Sequence, residues 1–236
     1  MGLPLYLAMT AAELSAAETL PKKIAYMACH FSLYSTGLSN IPSQLPEGSL
    51  LILNDRSPVQ GHDPVLVAQQ LVWAVETLRP EGLLLDLQRP DNPQTAAIVQ
   101  AILETAVCPV AVSPDYAGDF RCAVFLEPPP LHRSLADHIT PWQNRELWLE
   151  AALEAETITV TATGSTFTPL PYEGAEENCH NEDRLCCRYR LKLDPEHAEF
   201  TLLRTPDSLD ALLTIAEKTG ISRAVGLYQQ LGKIYL

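Results

Sequence analysis

The chain has 236 residues, of which 47% are hydrophobic and 19% are charged, so it can bury a substantial core. Sixteen Lys and Arg stand against 29 Asp and Glu, which gives a formal net charge of −13 at pH 7. That sign opposes binding to nucleic acid or to an anionic membrane surface, so we expect neither as a partner. The longest apolar stretches also fall short of the roughly 18 residues that a membrane-spanning helix needs.

The first residues and the cysteines bear on the cellular compartment. Residues 1–10 are apolar but contain no Lys or Arg, unlike a secretory signal, so we expect them to be part of the fold. A chain that can build its own core does not need disulfides, and its six cysteines show no framework of regular spacing. We therefore expect a cytoplasmic protein with free thiols.

Short apolar runs alternate along the chain with segments that have helical patterns. Continuous apolar runs bounded by turn residues are typical of parallel strands that are buried on both faces. Eight such runs are predicted to be strands: Pro4–Met9, Ile24–Cys29, Leu50–Leu53, Leu83–Leu87, Pro109–Val112, Cys122–Leu126, Thr157–Thr161 and Ala224–Tyr228.

Helix start signals lie between several of these strands. A capping residue followed by Pro at the first helical position is a favourable beginning for a helix. Three segments are predicted to be helices on this basis: Val65–Leu78 after Asp63-Pro64, Gln94–Ala106 after Asn92-Pro93, and Trp142–Ala155 after Thr140-Pro141. A fourth helix, Leu209–Lys218, is predicted after Pro206-Asp207-Ser208, with Gly220 where a C-terminal cap would end it.

Eight strands that alternate with helices in a chain of this length predict an α/β fold, a single (β/α)8 TIM-type barrel over residues 1–236. A doubly wound open sheet is the alternative. The polar stretch 171–199 interrupts the alternation, and Cys186–Leu193 within it alternates apolar and basic residues. We expect a small insertion there, a loop and a hairpin after strand seven.

The functional face of such a barrel lies at the C-terminal ends of its strands. In the fourth predicted strand, Asp86 and Gln88 share a face because side chains alternate along a strand. A carboxylate within a run of leucines needs polar surroundings, so Asp86 is either a site residue or a structural residue that ties down neighbouring loops. Further candidates leave or end other strands: His30, Asp55, Glu127 and Tyr228.

Residues 81–90 resemble the strand-four signature of family-18 glycoside hydrolases, the chitinase-like barrels, which reads roughly Asp-Gly-φ-Asp-φ-Asp-φ-Glu-x-Pro. Gly82 and Pro90 match it, and Asp86 falls on its last Asp. The run 205–231 is similar to the segment that joins strands seven and eight in that family. The resemblance implies a TIM-type barrel, N-acetylated sugars as ligands, and a substrate-assisted reaction in which an Asp supports the acetamido group.

Three acidic positions of the signature differ in this chain. Glu81 replaces the first Asp, Leu84 replaces the middle Asp, and Gln88 stands where the resemblance places the general acid. An amide donates a hydrogen bond but transfers no proton, and general acid catalysis contributes about 10²–10⁴-fold in rate. We therefore predict a catalytically degenerate barrel that binds a glycan or another small polar ligand. Its predicted binding residues are Asp86, Gln88, Asp55, His30 and Tyr228.

Two other functions stay open at this point. The chain could be an active glycoside hydrolase that uses a different carboxylate pair, Asp86 and Glu127. It could also be a barrel retained for contact with another protein. The sequence has no P-loop, no Gly-x-Gly-x-x-Gly motif and no regular zinc-ligand spacing, so we expect no cofactor and no metal.

Overall fold

A computed structural model describes residues 2–89, 93–174 and 178–236. Its strands are β1 (Leu5–Met9), β2 (Ile24–Phe31), β3 (Leu38–Ser39), β4 (Leu50–Asn54), β5 (Gly82–Asp86), β6 (Val110–Val112), β7 (Ala123–Leu126), β8 (Leu147–Glu150), β9 (Glu154–Thr161), β10 (Gly164–Leu170), β11 (His180–Glu182), β12 (Cys187–Leu193), β13 (His197–Arg204) and β14 (Arg223–Leu227). Its α-helices are α1 (Ala11–Ala16), α2 (Pro64–Leu78), α3 (Pro93–Thr105), α4 (Pro114–Ala117), α5 (Leu135–Ile139), α6 (Pro206–Lys218) and α7 (Tyr228–Tyr235).

Eight of the strands form a closed parallel barrel. Strands β1, β2, β4, β5, β6, β7, β8 and β14 follow one another around it, and β1 closes the ring by pairing with both β14 and β2. The predicted TIM-type barrel is therefore confirmed. None of the helices in the described part of the chain is long and apolar enough to cross a membrane.

The seventh barrel strand differs from the prediction. This strand is β8, which pairs with β7 and β14. It lies inside Trp142–Ala155, the segment that the Thr140-Pro141 signal predicts to be helical. That helix prediction is wrong. Thr140-Pro141 begins only a short 3-10 turn. Leu147, Trp148 and Leu149 are all buried, and burial on both faces favours a strand over the local helix propensity.

An antiparallel sheet lies between the seventh and eighth barrel strands. Its order is β10-β9-β13-β12-β11, and it runs from Glu154 to Arg204. The predicted strand Thr157–Thr161 belongs to β9 in this sheet and not to the barrel. The predicted insertion, residues 171–199, falls within this sheet, but the sheet begins before residue 171 and ends after residue 199. Residues 175–177 lie outside the described part of the chain.

The interior of the barrel is packed and closed at its N-terminal end. Trp148 is fully buried there among small neighbours that include Ala8, Ala25, Ala111 and Ala123. Gly82 faces the same ring, since a Cβ at this position would come within 2.9 Å of the indole. This contact explains why the strand begins with the smallest residue.

Polar contacts stabilise the N-terminal end of the barrel. The Tyr6 hydroxyl donates a hydrogen bond to the Glu81 carboxylate, which also forms an ion pair with Lys23 at 2.7 Å. Glu81 therefore belongs to the base of the barrel and not to the site.

Two of the predicted helix start signals, those before α2 and α6, begin helices in the structure. The Asp63 carboxylate accepts hydrogen bonds from the main-chain N–H groups of Val65 and Leu66 at the start of α2, at 2.9 and 3.3 Å. Thr205 caps α6, and Gly220 follows that helix with a φ of +87°. Pro90 and Asn92, which take part in the signature and in the predicted cap of α3, lie outside the described residues.

Candidate functional site

A cavity of about 550 Å³ opens at the C-terminal ends of the barrel strands. Side chains that point into the barrel form its floor, and the residues that follow β2, β4 and β5 form its rim. Its polar lining includes His30, Asn54, Asp55, Asp86, Gln88 and Glu150. Functional sites of TIM-type barrels lie at this face. Four of the predicted binding residues are therefore brought together here.

A larger cavity of about 680 Å³ lies at the N-terminal ends of β6 and β7. Its main cation is Arg145, whose guanidinium donates hydrogen bonds to the main-chain oxygens of Gly118, Phe120 and Cys122 at 2.6 to 3.2 Å. These bonds tie loops together and leave the guanidinium little capacity for a ligand. We therefore place the functional site at the C-terminal mouth.

Asp86 and Gln88 are in direct contact. The Gln88 side-chain amide donates a hydrogen bond of 3.1 Å to the Asp86 carboxylate. Burial raises the pKa of Asp86, the hydrogen bond from Gln88 lowers it, and the negative charge of Asp55 raises it. The net shift is upward, so the environment of Asp86 disfavours its charged form.

Asp55 has a structural role at the rim of the cavity. It is buried, and its carboxylate accepts a hydrogen bond of 2.7 Å from the main-chain N–H of Arg89. The Arg89 guanidinium in turn donates to the main-chain oxygens of Asp55 and Arg56 at 2.8 and 3.0 Å. Asp55 therefore ties the loop after β4 to the loop after β5.

His30 is oriented by its neighbours at the rim. Its Nδ1 lies 2.8 Å from the main-chain oxygen of Phe31, and its Nε2 lies 3.1 Å from the side-chain amide of Asn40. Because a carbonyl oxygen only accepts, Nδ1 carries a proton, and Nε2 then accepts from Asn40. The ring is fixed in place and presents its edge to the cavity.

Glu127 and Tyr228 do not line the cavity. Glu127 is exposed, although its charge acts on the carboxyl groups of Glu150 and Glu154. Tyr228 is the first residue of α7, and its ring packs over Gly232, where a Cβ would come within 2.8 Å of it. Leu227 takes the lining position at the end of the eighth barrel strand.

Glu150 is the cavity residue that the sequence analysis misses. It ends β8 two residues after Trp148, so it shares the inward face of that strand and lines the cavity. Burial, together with the negative charges of Asp86, Glu127 and Glu154, raises the pKa of Glu150 to about 7. The alternation argument that selects Asp86 selects Glu150 equally well once β8 is recognised as a strand.

Comparison with known proteins supports the fold. No model of a known protein family matches the sequence, and no curated protein matches it. Among solved structures, a glycoside hydrolase family 18 N-acetylglucosaminidase from Paenibacillus barengoltzii is 11% identical with a TM-score of 0.59, over 95% of this chain and 94% of that one. The C-terminal domain of a putative chitinase from Desulfitobacterium hafniense is 11% identical with a TM-score of 0.52, over 97% and 94%. The spore cortex-lytic enzyme SleL of Bacillus megaterium is 10% identical with a TM-score of 0.53, over 95% and 70%.

This chain has the fold of a chitinase-like barrel. At 10–11% identity the likeness concerns the fold, and the chemistry of the mouth is argued from its own residues. The mouth of this chitinase-like barrel offers the amides of Asn54 and Gln88 and two carboxyl groups, Asp86 and Glu150, whose pKa values are raised. Within residues 2–89, 93–174 and 178–236, no three His, Cys, Asp or Glu side chains are grouped as ligands for a metal ion.

Proposed function

We propose that this chitinase-like barrel binds a glycan, with N-acetylated sugars as the first candidates, and that it does not hydrolyse the glycan with a strand-four acid. The observation that carries the proposal is the contact between Gln88 and Asp86 at the mouth. Gln88, at the position of the general acid in the resembling signature, is an amide. One of its N–H groups donates a hydrogen bond to the carboxylate of Asp86. Gln88 can position a sugar but cannot protonate a glycosidic oxygen.

The cavity supports glycan binding by its size and its lining. Its volume of about 550 Å³ falls in the range of about 300–1,000 Å³ that is usual for small-ligand sites. Apolar side chains such as Met27, Phe125 and Leu227 lie beside the polar groups. A sugar ring presents both C–H faces and hydroxyl edges, so a lining of mixed character suits it.

The experiment that tests the proposal is a calorimetric and thermal-shift titration with chitotriose and with muro- and plant-type oligosaccharides, followed by mass spectrometry. A ligand at about 100 times its Kd stabilises a protein by about 2.7 kcal/mol. We expect intact sugar to raise the melting temperature by several degrees. We expect Asp86→Ala to weaken the affinity for the sugar at least tenfold. Glu76→Gln, an exposed carboxyl on α2, is the matched control. If no oligosaccharide in the panel shifts the melting temperature, glycan binding is refuted.

One observation favours a second function, hydrolysis with a different acid. Glu150 has a pKa raised to about 7 and lies in the cavity with Asp86, so near neutral pH it could donate a proton. This function predicts cleaved sugar in the mass spectra, and a loss of cleavage in Glu150→Gln. If Asp86 and Glu127 form the pair instead, Glu127→Gln removes the cleavage and Glu150→Gln leaves it.

A further inference from the structure

Glu150 occupies an exceptional position for a carboxyl group. Trp148, on the same face of β8, fills the barrel interior, so the carboxyl of Glu150 stands directly above it at the floor of the cavity. No described residue forms a hydrogen bond or an ion pair with the Glu150 side chain. Burial without a partner is costly for a charged carboxylate, and a ligand that enters the cavity meets this group at its base.

All the charges that act strongly on Glu150 are negative. Asp86 faces it from β5, Glu127 from the segment after β7, and Glu154 from β9. The buried cation Arg204 is held by Glu154 and by the main-chain oxygen of Pro129 at 2.7 Å. Against the effect of burial, the positive charge of Arg204 lowers the pKa of Glu154, whereas the charges that shift the pKa of Glu150 are all negative.

The other cationic candidates of the cavity lie at its rim. Arg56 is exposed, and the two ring nitrogens of His30 are engaged by Phe31 and Asn40. A ligand that brought its own negative charge to the floor would therefore add repulsion with no local compensation. An uncharged ligand avoids this cost and offers oxygen atoms that a protonated carboxyl can bind as a donor.

We infer that Glu150 is the specificity residue of this cavity, and that it admits uncharged glycans while it rejects glycans that carry a carboxylate. The inference rests on the proposed glycan-binding function and names its substrate class. It makes selectivity depend on pH. Above about pH 7 Glu150 is charged and rejection is strong, whereas below that value the group is neutral and rejection weakens.

The test uses two ligands that differ only in charge. These are the disaccharide of N-acetylglucosamine and N-acetylmuramic acid with its free lactyl carboxylate, and the same disaccharide with that group converted to the amide. Calorimetric Kd values are measured at pH 8 and pH 5.5 for the natural chain, for Glu150→Gln and for the surface control Glu76→Gln. Circular dichroism confirms that each variant is folded.

At pH 8 we expect the amide to bind at least about tenfold more tightly than the acid to the natural chain and to Glu76→Gln. In Glu150→Gln the ratio should shrink at least about threefold, although Asp86 and Glu154 still repel the acid, and in the natural chain the ratio should shrink at pH 5.5. Equal binding of both ligands to the natural chain at pH 8 overturns the inference but leaves glycan binding intact. A ratio that persists in Glu150→Gln also overturns it. If neither disaccharide nor chitotriose binds, the proposed function fails and the inference fails with it.

Discussion

Glu150→Gln should make the protein more stable at pH 8 and should have a much smaller effect at pH 5. The pKa of this carboxyl rises from an ordinary 4.5 to about 7 on folding. Between these values the unfolded chain releases a proton that the folded chain retains, so stability falls as the pH rises from about 4.5 to about 7. At about 1.4 kcal/mol per pH unit, the loss at pH 8 amounts to roughly 3 kcal/mol. Gln cannot ionise and escapes this loss.

Urea denaturation at pH 5 and pH 8 measures the effect. We expect the variant to gain roughly 2–3 kcal/mol in the free energy of unfolding at pH 8, which corresponds to about 2–4 °C in Tm for each kcal/mol. At pH 5, just above the ordinary pKa of the carboxyl, the gain should be only about 1 kcal/mol or less. Glu76→Gln, which removes an exposed carboxyl, should change neither value. A gain of equal size at both pH values, or no gain at pH 8, would refute the electrostatic account of this site.

Three further substitutions test the site and the fold. Gln88→Glu restores a carboxyl beside Asp86 and should raise hydrolysis of chitotriose at least about 100-fold, measured by mass spectrometry, whereas Gln88→Asn should give no gain. Arg204→Met removes the partner of Glu154 and should lower the free energy of unfolding by about 2–4 kcal/mol in urea, less than for a fully buried pair because Glu154 is partly exposed. Arg184→Met breaks only an exposed pair and should cost under about 1 kcal/mol. Asp63→Ala removes the cap of α2 and should cost about 1 kcal/mol in the same assay, and Asp63→Asn should restore most of it.

The sequence predicts those parts of the barrel that have strong local signals. Strand β5 is an unbroken run of leucines between Gly82 and Asp86, and α2 has a complete start signal at Asp63-Pro64. Both are visible without the rest of the chain. The same strand also identifies Asp86 and Gln88, because alternation places them on one face.

The seventh barrel strand is not predictable in the same way. Its segment combines Leu, Trp, Glu and Ala, which suit a helix as well as a strand, and Thr140-Pro141 precedes it. Only the neighbouring strands β7 and β14, distant along the chain, make it a strand. Glu150 is missed for this reason, since its direction into the barrel depends on that assignment. Glu127 and Tyr228 follow the ends of β7 and β14 and do not line the cavity, and a strand's alternation does not fix the direction of a side chain beyond its end.

The closed base of the barrel restricts how a ligand can enter and leave. Among the described residues, Trp148 fills the barrel interior, and Tyr6 and Glu81 are in contact at its N-terminal end. A ligand that binds as proposed must therefore reach Glu150 from the mouth and must leave by the same route. Water displaced by an arriving sugar has to escape past that sugar through the same opening. The rim around His30 and Arg56 is therefore the natural place to look for control over how fast a ligand is exchanged.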